Sequence, residues 1–177
     1  MDEFWVFGYG SLMWNPGFPY EESQTARLAG YRRALCVRSY VHRGTEDRPG
    51  LVLGLDRGGS CKGVAFRVSA SNWPDTLGYL RERELVTNVY LERSVRLTLA
   101  DGRQVASLTY VIDRAHPQYA GAVTVEEAAR VVRDAAGRWG PNPVYVANTV
   151  SHMRELGIRD QWLESVVAAI VSLDQIG

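Results

Sequence analysis

The stretch Phe4-Trp5-Val6-Phe7-Gly8-Tyr9-Gly10-Ser11-Leu12-Met13-Trp14-Asn15-Pro16 reads as a short buried strand that breaks off at glycines. Its first half is apolar without alternation, as in a strand covered on both faces. Two glycines then bracket a tyrosine and lead into a serine, a composition that lets the backbone approach a ligand closely and aim several N–H groups at it. A strand is predicted over residues 4–8. The segment behind it, with Asn15-Pro16-Gly17 and Pro19, is predicted to be a long loop that wraps a binding site as far as about Ser23.

Outward from that strand the pattern stays β for most of the first two thirds of the chain. Residues 26–40 suggest one or two strands, and residues 41–50 form a polar second loop. Leu51 to Leu55 and Cys61 to Val68 are strand-like runs separated by Asp56-Arg57-Gly58-Gly59-Ser60, which reads as a hairpin connection. Tyr90 to Leu99 and Gln104 to Ile112 flank Asp101-Gly102, a two-residue hairpin signal. Three helices are predicted after the last strand. Thr124-Val125-Glu126-Glu127 opens the first as a capping box, and it stops near Gly137. The second runs from about Pro143 to Leu156, and the third from about Arg159 to Leu173.

The remaining helix, from about Ser71 to Glu84, bears on chemistry. Trp73, Leu77, Leu80 and Glu84 share one face at 3.6 residues per turn, whereas Glu82 falls on the opposite, solvated face. A carboxylate on an apolar stripe is penalised when ionised, and the negative end of the helix dipole adds to the penalty. Both effects raise the pKa and suit Glu84 to moving protons near neutral pH. Periodicity alone leaves the plainer alternative open, an ion pair with Arg81, Arg83 or another basic residue.

The 177 residues carry 20 basic and 20 acidic side chains, so no global charge points to nucleic acid or an anionic membrane surface as partner. A small-molecule substrate fits better. Length and apolar content are those of one cored domain spanning residues 1–177. The start of the chain lacks the pattern of a signal peptide and no apolar run is long enough to span a bilayer, which predicts a cytoplasmic protein. Cys36 and Cys61 form no metal-ligand spacing and read as reduced structural thiols, and His42, His116 and His152 are scattered.

Tyr9-Gly10-Ser11-Leu12 resembles the YGSL signature of the γ-glutamylcyclotransferases, and the wider run from Val6 to Gly17 is similar to their ChaC-like, glutathione-specific branch. The similarity continues through Arg43-Gly44, Pro49-Gly50, Gly63 to Arg67, Arg83-Glu84, Asp113, His116-Pro117, Tyr119, Asn142 and Tyr145. The resemblance implies a mixed α/β fold with a mainly antiparallel, barrel-like sheet surrounded by helices. It also implies a reaction. The α-amine of a γ-glutamyl group attacks its own γ-amide carbonyl, so that glutathione yields 5-oxoproline and Cys-Gly with no metal or cofactor. Glu84 is then the general acid/base. Val6, Phe7, Gly8, Tyr9, Gly10, Ser11 and Leu12 line the substrate, Tyr145 hydrogen-bonds it, and Arg38 or Arg43 neutralises one of its carboxylates. Some relatives carry a second acid before the catalytic one. The nearest here is Asp75, to which no role is assigned.

Other motif readings fail on detail. Met13 replaces the third glycine of a dinucleotide fingerprint, and no Gly-Lys-Ser/Thr follows for a P-loop. Ser11 lacks the GxSxG setting of a hydrolase nucleophile. A non-catalytic γ-glutamyl-binding or regulatory module, and a cyclotransferase for other γ-glutamyl amino acids or amines, remain as alternatives.

Overall fold

The computed structural model describes residues 3–176. Residues 1, 2 and 177, which the expected domain includes, lie outside the described residues. The chain divides into two compact units: one of residues up to Arg33 with Leu55–His116, the other of Ala34–Gly54 with the chain from Pro117 onward.

Five strands close into a barrel in the order β1-β3-β2-β4-β5. β1 (Phe4–Gly8) pairs antiparallel with β3 (Gly50–Val68) from Phe4↔Val68 to Gly8↔Val64, and meets β5 (Gln104–Ile112) in parallel at Val6↔Leu108. β4 (Tyr90–Leu99) and β5 pair antiparallel along their whole length, turning at Asp101-Gly102 with Gly102 at φ 92°. β2 (Glu22–Ser39) joins β4 at Ala26–Leu28. The first unit's core is built from inward side chains such as Trp5, Phe7, Leu28, Leu55, Phe66 and Leu97, all under 3% exposed. The fold is therefore the expected mixed α/β class with a barrel-like, mainly antiparallel sheet.

One expectation is corrected. Asp56-Arg57-Gly58-Gly59-Ser60 is not a hairpin connection; β3 runs through it as a single strand. Gly58 and Gly59 do take left-handed φ, 97° and 70°, but as an irregularity inside the strand. The cause is Asp56, fully buried, whose carboxylate accepts hydrogen bonds from Arg32 (3.2 Å), Arg114 (2.7 Å) and the Arg57 amide (2.9 Å). Arg32 also donates to the Arg57 carbonyl. These bonds hold the segment along the sheet, where a hairpin would fold it back. Residues 26–39 likewise belong to one strand, with the left-handed Gly30 inside it and Tyr40 just beyond its end.

α1 (Trp73–Glu84) follows β3. Pro74 sits in its first turn, where a missing N–H costs nothing, and Thr76 and Leu80 are its buried residues. Trp73 stacks on Phe4 of β1, with ring centroids 4.9 Å apart.

In the second unit, α2 (Val125–Asp134), α3 (Asn142–Glu155) and α4 (Gln161–Ile176) pack on one another. The predicted capping box is present, Thr124 and Glu127 satisfying each other's backbone N–H. α2 ends at Asp134, before Gly137, because the chain next forms a small hairpin, β6 (Ala136–Gly137) and β7 (Gly140–Pro141), that the sequence reading lacks. Asn142, fully buried, takes the place of a strand neighbour for Leu51: its amide oxygen accepts from Leu51 N–H at 2.8 Å and its amide nitrogen donates to the Leu51 carbonyl at 2.9 Å. Cys36 and Cys61 are buried, and no disulfide joins them. No helix among the described residues is long and apolar enough to cross a membrane.

Candidate active site

The glycine loop leaves β1 at Gly8 and tightens at once into a 3₁₀ turn, Ser11–Met13, in which Met13 N–H donates to the Gly10 carbonyl at 2.9 Å. The N–H groups of Ser11 and Leu12 come before that first bond and have no partner inside the turn. Leu12 and Met13 are buried and anchor the turn, while Ser11 is exposed. Val6 and Phe7 keep their side chains in the core, so only their backbone is open to a ligand, and the Phe7 carbonyl already accepts from Thr109 Oγ1 at 3.2 Å.

Two close contacts fix the loop from below. Arg33, 6% exposed, donates from Nε to the Tyr9 carbonyl at 2.6 Å and from its terminal nitrogen to the Lys62 carbonyl. Gly63 lies beneath the Gly8 carbonyl so tightly that a Cβ there would collide with that oxygen and meet Phe7 Cζ at 2.7 Å. Gly8 is equally constrained, since a Cβ would meet Leu12 Cβ at 2.9 Å.

Glu84 closes α1, and its side chain is only 18% exposed. Burial pushes its carboxyl above the ordinary carboxylate range, and the neighbouring Arg83 guanidinium, 3.7 Å away, works against that shift without cancelling it. Arg81, a candidate partner on sequence grounds, instead makes a two-pronged bond to Glu92 of β4, both arms 3.0 Å. Tyr110 of β5 donates to the same Glu92 at 2.9 Å; burial first, then Glu92, then the charge of Glu84 push its hydroxyl far above the usual tyrosine value. Glu82 is exposed, as its place on the helix predicts, and so is Asp75.

Arg83 ties this acid to the glycine loop. Its guanidinium donates to Ser11 Oγ (2.8 Å), the Asn15 carbonyl (2.9 Å), the Tyr79 hydroxyl (3.0 Å) and, more weakly, the Pro16 carbonyl (3.4 Å). One side chain thus spans from the residue beside the carboxyl to both ends of the turn. Sequence reasoning noted Arg83 only as half of an Arg-Glu pair and missed Arg33, Tyr110 and Glu92. The position of Arg83, one residue before Glu84 in the last helical turn, was the one signal available.

The remaining expected site residues belong to the second unit. Arg38 is exposed, and its backbone exchanges hydrogen bonds with Gln118. The Tyr145 hydroxyl accepts from Leu53 N–H at 3.0 Å, and the Arg43 guanidinium lies over the Tyr145 ring at 5.4 Å while donating to the Trp139 and Pro141 carbonyls. His42 stacks on Trp139, and His152 lies 3.8 Å from Glu155. Among the described residues no group of His, Cys, Asp or Glu is arranged to hold a metal ion.

Comparison with known proteins agrees with this architecture. The family model described as ChaC-like protein matches residues 4–173. Over 169 residues the chain is 36% identical to the glutathione-specific gamma-glutamylcyclotransferase of Escherichia coli strain K12, covering 96% of this chain and 73% of that protein. It is 34% identical over 174 residues to glutathione-specific gamma-glutamylcyclotransferase 1 of Danio rerio, covering 95% and 89%. Its fold matches the crystal structure of a yeast gamma-glutamyl cyclotransferase specific to glutathione, with a TM-score of 0.84 at 20% identity over 97% of each chain. On the span of the family model and the identity with these relatives, the chain belongs to the ChaC-like protein family.

Proposed function

We propose that the protein is a cytoplasmic γ-glutamylcyclotransferase acting on glutathione, with Glu84 as the group that carries the proton. The supporting observation is the largely buried carboxyl at the end of α1, its affinity for protons raised, joined through Arg83 to the glycine loop. The substrate's α-nitrogen forms a bond to the γ-carbonyl carbon as the amide C–N bond breaks. Atoms balance without water. The ammonium group gives up two protons in becoming the lactam N–H; the Glu84 carboxylate takes them in turn and passes them to the departing nitrogen of Cys-Gly, which leaves as an ammonium, and 5-oxoproline remains.

Much of the acceleration comes from folding the glutamyl chain so that amine and carbonyl meet, an orientation effect that reaches about 7–11 kcal/mol in well-held systems. In this reading the N–H donors from Tyr9 to Leu12 grip the substrate's charged oxygens. Arg38 is assigned to a substrate carboxylate and Tyr145 to a hydrogen bond with substrate, so Arg38→Ala and Tyr145→Phe are expected to raise KM.

The test is incubation of the purified chain with glutathione, γ-glutamyl amino acids and γ-glutamylamines, with 5-oxoproline read by mass spectrometry. Product from glutathione alone supports the proposal. Product only from other members of the panel changes the substrate, and tight binding without product leaves a γ-glutamyl-binding module.

Arg83→Met gives a separate check on the mechanism. Losing charged hydrogen bonds to the loop is expected to lower kcat/KM by about 10- to 100-fold, from roughly 1.4–3 kcal/mol of lost positioning. Glu84 must be ionised to accept the ammonium proton, so activity falls as pH drops through its pKa, a limb that lies above the ordinary carboxylate range. Arg83 favours the ionised form, and its removal moves that limb to still higher pH. Arg83→Lys is expected to restore the limb without restoring the rate, because an ammonium keeps the charge but not the fork of donors. Rate profiles against pH for the three proteins decide it.

A further inference from the structure

We propose a second small-molecule site, for a dianionic phosphate group, in the cleft where β2 and β4 part. Among the described residues β2 pairs with β4 from Ala26↔Leu99 to Leu28↔Leu97, whereas β4 continues to Tyr90 at its other end, paired there with β5. The gap left between the strands is a cavity of about 170 Å³ within the first unit. Leu55, Leu91 and Val111 give it an apolar wall, and three arginines, Arg57, Arg93 and Arg114, line it, Arg93 also donating to the Glu92 carbonyl at 2.9 Å.

Charge and support both favour an anion. Arg32 stands behind Arg114 on the shared buried carboxylate of Asp56, and Asp113 is the one acid on the lining. Four guanidinium groups therefore face two carboxylates, leaving a surplus that a dianion would balance. Asp56, fully buried, binds Arg114 through Nε at 2.7 Å, and one Arg114 terminal nitrogen donates to the Arg57 carbonyl at 3.4 Å, so the guanidinium's direction is set before any ligand arrives. The β3 irregularity at Gly58 and Gly59 follows immediately after Arg57, whose carbonyl accepts from both Arg32 and Arg114. Guanidinium forks match the oxygen spacing of phosphate, and the small volume, below the roughly 300 Å³ at which drug-sized pockets begin, suits phosphate or a compact phosphate monoester.

The cleft is separate from the reaction site described above. Side chains alternate along the β4–β5 ribbon. Glu92 and Tyr110, the pair that adjoins Glu84, are register partners on one face, while Leu91 and Val111, also partners, lie on the other face with Arg93; Ile112, the last residue of β5, is the lining residue that shares the Tyr110 face.

Isothermal titration of the full chain at low ionic strength tests the proposal, with inorganic phosphate, glycerol 3-phosphate and succinate as probes. Phosphate or the monoester is expected to bind at one site per chain, the two competing where both bind. Arg57→Gln and Arg93→Gln, both exposed positions, are each expected to weaken binding about tenfold. Both variants are expected to keep the parent melting temperature and glutathione turnover, and Glu84→Gln to bind phosphate as the parent does. Tighter binding of the monoester identifies a phosphorylated metabolite as ligand, and tighter binding of phosphate the free ion. No binding of either phosphate probe, a preference for succinate, indifference to both arginine changes, or loss of binding in Glu84→Gln would overturn it.

Discussion

Glu84→Gln is expected to reduce 5-oxoproline formation from glutathione by about 10²- to 10⁴-fold, the range over which positioned acid–base groups contribute, while leaving substrate binding nearly intact. Glutamine keeps the size and polarity of the side chain but takes up no proton, so the loss falls on kcat rather than KM. The same substitution has a signed effect on stability. Ionising the Glu84 carboxyl is harder in the folded chain than in the unfolded one, because burial raises its pKa. The folded state bears no such penalty at low pH, where the group is protonated in both states. It takes on the penalty as pH rises from the unfolded value through the folded one. Glu84→Gln is therefore expected to melt at a higher temperature than the parent near neutral pH, with the gap closing toward about pH 4. Melting curves across that range check the sign independently of any activity, and a variant less stable than the parent at neutral pH would contradict the burial argument.

Gly63→Ala is expected to destabilise the protein by about 3 kcal/mol or more, at the upper end of overpacking costs. The added methyl meets the Gly8 carbonyl oxygen and the Phe7 ring at once, and Phe7, 1% exposed, has no free space into which to turn. For a chain of this size that corresponds to a fall of roughly 6–12 °C in Tm. Displacing Gly8 also shifts the first residue of the loop, so kcat is expected to fall in whatever fraction remains folded. Gly78→Ala serves as the opposite control. It lies inside α1 with nothing within 4 Å of a new Cβ, and alanine there is expected to stabilise by about 0.5–1 kcal/mol. Equal melting shifts of the same sign in the two variants would mean that the crowding at Gly63 relaxes freely.

Local chemistry explains which parts were legible in the sequence. The first strand, the Asp101-Gly102 hairpin and the Thr124 capping box each depend on neighbours a few residues apart, and each appears where the pattern predicts it, although the register Thr98↔Gln104 makes the hairpin connection longer than two residues. Glu84 was legible as a buried acid because helical periodicity sets it in line with Leu80. What misled was Gly58-Gly59, where the local turn signal was sound but a distant carboxylate partnership with Arg32 and Arg114 decided the outcome. Arg33, and the reach of Arg83 to the glycine loop, were illegible for the same reason. Each acts on a carbonyl or hydroxyl 20 or more residues away, and arginine composition carries no mark of that.

The passage of β2 and β3 through the boundaries at Arg33/Ala34 and Gly54/Leu55 has a practical consequence. Neither compact unit is a continuous piece of polypeptide, and two of the three crossings occur inside hydrogen-bonded strands, away from linkers. No single truncation can isolate one unit from the other. Exchange of either unit with a relative would require grafting two separate segments together, and a protease seeking the seams at those crossings would find strand backbone in place of an open loop.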